Sequence, residues 1–276
     1  MTDDTTPDTA TLNFADKMSY TDYLGLDAIL NAQNPLSDAH DEMLFIIQHQ
    51  ASEIWLRLAI YELNAARNII ARGETRMAFK MLARVARIFE QLNSAWDVLR
   101  TMTPSEYTQF RDDLGQSSGF QSHQYRLVEY IVGNRNHTLL KSHEHRNDLH
   151  SALKDELAKP SLYDTVLRTL AGKGFSIPSD VLSRDVSQKL PHNAAVEDVW
   201  RQIYQDPTTH WEAYELAEKL VDFEDYFRRW RFNHVTTVER IIGNKRGTGG
   251  TGGVSYLHKM LQVELFPELW SVRTLL

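Results

Sequence analysis

The chain has 276 residues, 42% of them hydrophobic and 24% charged, a formal net charge of −7 and no cysteine. Composition and length are those of a globular protein able to bury a full core without covalent staples. Disulfides, thiolate metal sites and cysteine nucleophiles are excluded, and the net negative charge argues against a nucleic-acid partner.

Residues 1–13 are polar and acidic, with no basic stretch leading into an apolar one. They do not read as a signal peptide and are expected to form a disordered tail, leaving 14–276 as a single domain. The longest strongly apolar run, Met43 to Ile47, is far short of the ~20 residues a membrane span needs. A cytoplasmic protein with no membrane segment is expected.

Hydrophobic periodicity predicts helix nearly everywhere. A first long helix spans about Asp38 to Ala71 and stops before Gly73, a residue suited to a left-handed cap. A second, from about Thr75 to Arg100, carries apolar side chains at Ala78, Leu82, Val85, Phe89, Leu92, Trp96 and Leu99, at helical spacings. A third opens at Thr103-Pro104-Ser105-Glu106, with Thr103 as N-cap, Pro104 as first helical residue and Glu106 as the return arm of a capping box, and ends at Gly115. A fourth carries Phe120 to Val132. The stretch from Leu139 to Leu190, with Gly172, Gly174 and Pro178, reads as shorter helices and loops over the bundle. The longest helix runs from about Thr208 to Ile242. No segment alternates as a strand would, so the fold class is all-α, a helical bundle of long amphipathic helices.

Four places could carry chemistry. In the longest helix, Leu216, Leu220, Phe223, Phe227, Trp230, His234, Val238 and Ile241 form one apolar stripe with His234 in it. A core histidine bonded to a carbonyl is the commoner occupant of such a position; a haem ligand, a neutral imidazole among aromatic residues, is the sharper reading. His49 lies one turn after Phe45 on the first long helix, where a structural histidine is again the bland alternative. Tyr107 and Arg111 are four apart, and an arginine fork binds a carboxylate at two points, although a surface arginine is the simpler account. The segment Gly247-Thr248-Gly249-Gly250-Thr251-Gly252-Gly253 contains G-x-G-x-x-G but follows a helix, which does not support a dinucleotide fold. It reads as a flexible linker or as a loop that closes over an anionic ligand. His143-Glu144-His145 and His40-Asp41-Glu42 are weaker: the first reads as a solvated loop, and the second sits at a helix start and not on the β-barrel usual for a non-haem iron triad.

Taken together, Phe45-Ile-Ile-Gln-His-Gln-Ala-Ser-Glu-Ile-Trp-Leu, Ser117-Ser-Gly-Phe-Gln-Ser-His-Gln-Tyr-Arg, Trp230-Arg-Phe-Asn-His-Val-Thr-Thr-Val and Gly243-Asn-Lys-Arg-Gly-Thr-Gly-Gly-Thr-Gly-Gly-Val resemble the tryptophan 2,3-dioxygenase family, in the family's order and over about Tyr20 to Arg273. The resemblance implies one haem b (iron) per subunit, with His234 as its proximal ligand and Trp96 near it. It implies that His49 accepts a hydrogen bond from the substrate indole and that Arg111 pairs with the substrate carboxylate, helped by Tyr107 and Thr248. Phe45, Ser118 and Tyr125 match other pocket positions. Tyr20, Tyr23 and Leu24 match residues that complete a neighbouring subunit's pocket in a homotetramer, a dimer of dimers. The implied reaction inserts both atoms of O2 across the indole C2–C3 bond of L-tryptophan, giving N-formyl-L-kynurenine; a non-catalytic haem sensor or carrier is the alternative. Two departures stand out: Gly252, where relatives often carry a small hydroxyl or alanine side chain, and His123, where an apolar residue is usual.

Overall fold

Three long helices set the frame. The protein is described here by a computed structural model covering residues 11–250 and 252–276, so the tail expected at 1–13 lies mostly outside the described residues. The helices in chain order are α1 (Tyr20–Leu24), α2 (Leu26–Leu30), α3 (His40–Ala71), α4 (Thr75–Leu99), α5 (Pro104–Tyr107), α6 (His123–Val132), α7 (Asn147–Leu157), α8 (Leu162–Gly172), α9 (Ser179–Leu182), α10 (Ala194–Gln205), α11 (Trp211–Ile242), α12 (Val254–Leu261) and α13 (Pro267–Ser271). Among the described residues there is no strand, and no helix is long and apolar enough to cross a membrane.

The apolar stripe read on α4 is what joins the frame: α4 packs along both α3 and α11. Phe89 of α4 meets Phe223 and Phe227 of α11 edge-on, with ring centroids 5.5 and 5.1 Å apart, and all three are fully buried. Each such ring contributes roughly 2 kcal/mol through burial, with a smaller part from the edge-to-face geometry. The link between α3 and α4 is tight because Gly73 takes φ +79°, and its N–H closes the α3 end on the Ile70 carbonyl.

Buried carboxylates pin the remaining pieces to this frame. Glu224 of α11 accepts from the backbone N–H of Leu265 and Phe266, fixing the chain between α12 and α13. Glu268 of α13 accepts from the Asn193 N–H and the Tyr163 hydroxyl, which itself accepts from Trp200 Nε1. Unpaired, these groups would each cost several kcal/mol; fully hydrogen-bonded, they lock elements that are far apart in sequence.

Two helix boundaries differ from expectation. The third predicted helix has its Thr103 capping box and Pro104 start, but α5 ends at Tyr107, and residues 108–116 form successive turns instead of helix. The Thr108 hydroxyl takes the Pro104 and Ser105 carbonyls, a local competitor for the helical ladder, while Phe110 is drawn fully into a small core with Trp96, Leu99 and Met102. The fourth helix starts late: residues Gly119–Gln121 make one 3₁₀ turn, and Ser122 then caps α6 by accepting from the Tyr125 N–H. At the other end of the chain, α1 and α2 bury no residue at all.

Candidate active site

The first half of the α11 stripe is core, with Leu216, Leu220, Phe223 and Phe227 buried, whereas the stretch beyond it borders open space before Ile241 is buried again. Trp230, His234 and Val238 line cavities there. His234 is therefore not the carbonyl-bonded core histidine that was the commoner reading. Burial, and secondarily the nearby His49, pull its pKa down to about 4, and no hydrogen bond contributes. A neutral imidazole with free ring nitrogens results. The Trp96 indole stacks on it at 5.0 Å with 13° between planes, and Trp230 flanks it at 5.5 Å. The Trp96 Nε1–H is buried without an acceptor.

His49 faces the same space from α3: it and His234 together line two adjoining cavities, of about 700 and 520 Å³. Glu42, buried three residues before Phe45, anchors this part of α3 by accepting from the Leu36 and Ser37 N–H groups and the Ser37 hydroxyl. Burial alone would raise the Glu42 pKa, but these bonds outweigh it and hold the pKa low. The Phe45 ring packs 4.1 Å from the His49 ring. His49 Nδ1 lies 2.7 Å from the Phe45 carbonyl oxygen, which can only accept, so Nδ1 carries the proton. Burial keeps the ring neutral, against smaller opposing effects of that bond and of Glu53. Nε2 is then left as an acceptor.

The larger cavity is closed at its far side by Tyr107, Ser117, Ser118 and the glycine-rich segment. Arg111 N–H still bonds the Tyr107 carbonyl across one turn, so the two side chains stay on one side although the helix has ended. Arg111 Nη2 donates to the Arg246 carbonyl at 2.9 Å, while its Nε–H is buried without a partner. Burial raises the Tyr107 pKa, with the Arg111 guanidinium acting the other way. Thr248 donates its hydroxyl to the Ser117 carbonyl, and Gly249 presses so close to Ser118 that a Cβ there would lie 2.7 Å from the Ser118 Cβ. Glycine is required at that contact. The arrangement is an apolar chamber with a neutral imidazole on each side and an arginine with an unmet donor at one end.

Comparison with known proteins bears directly on this geometry. The family model described as "Tryptophan 2,3-dioxygenase" matches residues 5–202 and 176–276. A relative from Bradyrhizobium diazoefficiens named "Tryptophan 2,3-dioxygenase" is 68% identical over 267 residues, covering 97% of this chain and 96% of its own. Relatives of the same name from Ruegeria pomeroyi and Ralstonia pickettii are 64% and 58% identical, each covering 96% of this chain and 95% of their own. The chain belongs to the tryptophan 2,3-dioxygenase family.

The family's site residues, carried onto this sequence, divide into two groups. His49, His234, Phe45, Tyr107, Ser118, Tyr125, Trp96 and Thr248 all line the connected cavities, and Arg111 stands beside them at the loop. Tyr125 is held by stacking on Phe227 at 5.8 Å and by the Arg231 Nε–H, which its hydroxyl accepts at 3.2 Å. Tyr20, Tyr23 and Leu24 are not brought to the chamber; Tyr20 and Tyr23 are three-quarters exposed on a helix with no buried residue. Of the two departures from the family pattern, a Cβ on Gly252 would come too close only to the Ser255 hydroxyl, at 2.8 Å, which can rotate away, so space does not demand glycine. His123 packs edge-on against His143 at 5.8 Å, and its Nε2 is buried without a partner. His143, read from sequence as part of a solvated loop, is instead buried, with Nε2 donating to the Gln121 carbonyl.

Sequence reasoning passed over Arg126, Glu129 and Arg231. Arg126 and Arg231 line a third cavity, of about 480 Å³, that also reaches His234. The signal was present: an arginine and a glutamate three residues apart on the otherwise apolar α6 face, and an arginine next to Trp230 in the α11 stripe.

Proposed function

We propose that this protein is a tryptophan 2,3-dioxygenase that binds one haem b per subunit on His234 and converts L-tryptophan and O2 to N-formyl-L-kynurenine. The observation that carries the reading is the pair of neutral imidazoles, His234 and His49, on the walls of connected cavities. The residues fit haem: His234 would offer iron an unprotonated nitrogen, Phe45, Trp96, Phe120, Tyr125 and Trp230 line the walls, and the orphaned Trp96 N–H marks a polar partner that the chain does not supply. Bound there, haem would supply the dioxygen chemistry, with both oxygen atoms entering the product and no external reductant consumed.

The chain's own residues do the rest. Arg111 and Tyr107 take the substrate carboxylate, which places the indole away from the loop and toward His49. The free Nε2 of His49 accepts the indole N–H and fixes the ring's orientation. Thr248 and the glycine-rich segment close over the amino-acid end and keep water out. Binding and orientation are thus separated: one end of the substrate is recognised by charge, the other by a single hydrogen bond.

His49→Ala should retain haem and lose turnover by roughly tenfold to several hundredfold, the worth of one positioned hydrogen bond to a reacting group. An unchanged kcat would remove His49 from the mechanism. For the whole reading, the test is the absorption spectrum of haem-supplied ferrous protein: a Soret band that shifts on adding L-tryptophan supports it, and a protein without any Soret band rejects it.

The proposal extends to a cytoplasmic homotetramer, a dimer of dimers, in which Tyr20, Tyr23 and Leu24 reach a neighbour's pocket. Its support is that α1 and α2 expose apolar side chains and bury none of their residues within their own chain. Deleting residues 1–26 should therefore change the stability of the subunit fold by no more than about 1 kcal/mol, because none of the described residues it removes is buried. Activity should fall sharply. Full activity in the truncated protein would contradict the shared pocket.

A further inference from the structure

Three charged side chains lie almost wholly inside the protein beside the chamber. Arg126 is 2% exposed, Glu129 0% and Arg231 3%. The Glu129 carboxylate serves both guanidiniums, one oxygen pairing with Arg126 Nη1 and the other with Arg231 Nη2. Among the described residues no second carboxylate pairs with either arginine. The other titratable groups close to Arg126 are Tyr125, Tyr130, Tyr256, which hydrogen-bonds it, and His143; burial raises the pKa of the three phenols and lowers that of the imidazole, so none adds a negative charge. Two positive charges are therefore matched by one negative charge in a dry environment.

Arg231 is otherwise satisfied, donating to the Tyr125 hydroxyl and the Val263 carbonyl. Arg126 is not: its Nε–H is buried and has no acceptor. Arg126 also lines the cavity that runs past Tyr125, Trp230 and Tyr256 to His234. An unmatched buried charge and an unmet donor each oppose folding, and together at a cavity wall they mark the place of a missing anion.

We infer that Arg126 binds a carboxylate of the haem held by His234. This rests on the haem reading above. The cofactor then closes the charge deficit of α6 and α11, and a carboxylate anchor away from the iron fixes how the macrocycle is turned about His234. The same deficit makes the haem-free protein less stable than its packing alone would allow.

The experiment uses full-length protein loaded with ferric haem or with haem dimethyl ester, whose carboxylates are blocked, and follows release to excess apoglobin by the Soret band. Arg126→Gln leaves the Arg231–Glu129 pair balanced, so the haem-free variant should unfold at or above the wild-type temperature. The variant should release haem roughly 10- to 100-fold faster than the wild type, the worth of a charge-assisted hydrogen bond. The wild type should also release the ester faster than haem, and that preference should shrink in Arg126→Gln. A haem-free variant that fails to fold or unfolds at a clearly lower temperature makes Arg126 a structural ion pair and overturns the inference. So does an unchanged release rate, or a preference for haem over ester as large in the variant as in the wild type. If the wild type binds haem but releases acid and ester alike, only this inference fails. If it takes up no haem, the haem reading fails and the inference with it.

Discussion

His234→Ala should give a folded helical protein that no longer retains haem, with the Soret band of the supplied wild type absent and the far-ultraviolet circular dichroism unchanged. The expectation of an intact fold comes from position. His234 lies where the α11 stripe has left the Phe223–Phe227 core and faces a cavity, so removing its ring empties space that is already open. The expectation of lost haem comes from chemistry. No other imidazole in the chamber wall is equivalent, since His49 spends Nδ1 on the Phe45 carbonyl and sits on the opposing helix. A single axial bond contributes far more than any wall contact, so the loss should be close to complete. Adding free imidazole should restore part of the Soret band by filling the vacated position. Tight haem binding by the variant would reject the ligand assignment.

Arg111→Ala should raise the KM for L-tryptophan by about 100-fold or more while leaving the Soret band as in the wild type. A carboxylate held by a guanidinium fork is worth roughly 3 kcal/mol, near the upper end for charged hydrogen bonds, and each 1.4 kcal/mol is a factor of ten. Within the free protein Arg111 has one donor on the Arg246 carbonyl and a buried Nε–H with none. Its partner is thus missing from the chain itself, as expected of a group waiting for a ligand. Steady-state kinetics check this. If KM were unchanged, the carboxylate would have to be recognised elsewhere. A lost Soret band would instead mean that Arg111 supports haem and not substrate.

The fold was legible wherever burial and period agreed. The α4 stripe, the Gly73 cap and the Thr103 capping box all carry local signals, and each lies where periodicity and capping rules put it. The short extent of α5 was not legible, because it follows from Phe110 being pulled into a core with Trp96 that is formed from another helix. The site was legible as motifs and only half legible as physics. Spacing alone could not separate a cavity histidine from a core histidine at position 234, since both sit on an apolar face; the distinction depends on what the opposing helix leaves empty. The Arg126–Glu129–Arg231 cluster was overlooked because its pairing joins residues about a hundred positions apart, and a charge in a helix reads as a solvated face until the partner helix is placed. Conversely, the three N-terminal residues are legible only through the family, since α1 buries none of its residues within its own subunit.

The most direct test of the account is turnover of L-tryptophan by haem-supplied, ferrous protein under isotopically heavy dioxygen, with the product weighed by mass spectrometry. The account predicts N-formyl-L-kynurenine carrying two heavy oxygen atoms, one at each end of the opened C2–C3 bond. A haem-loaded protein that leaves tryptophan intact, or a product in which one oxygen comes from water before any exchange, would contradict it.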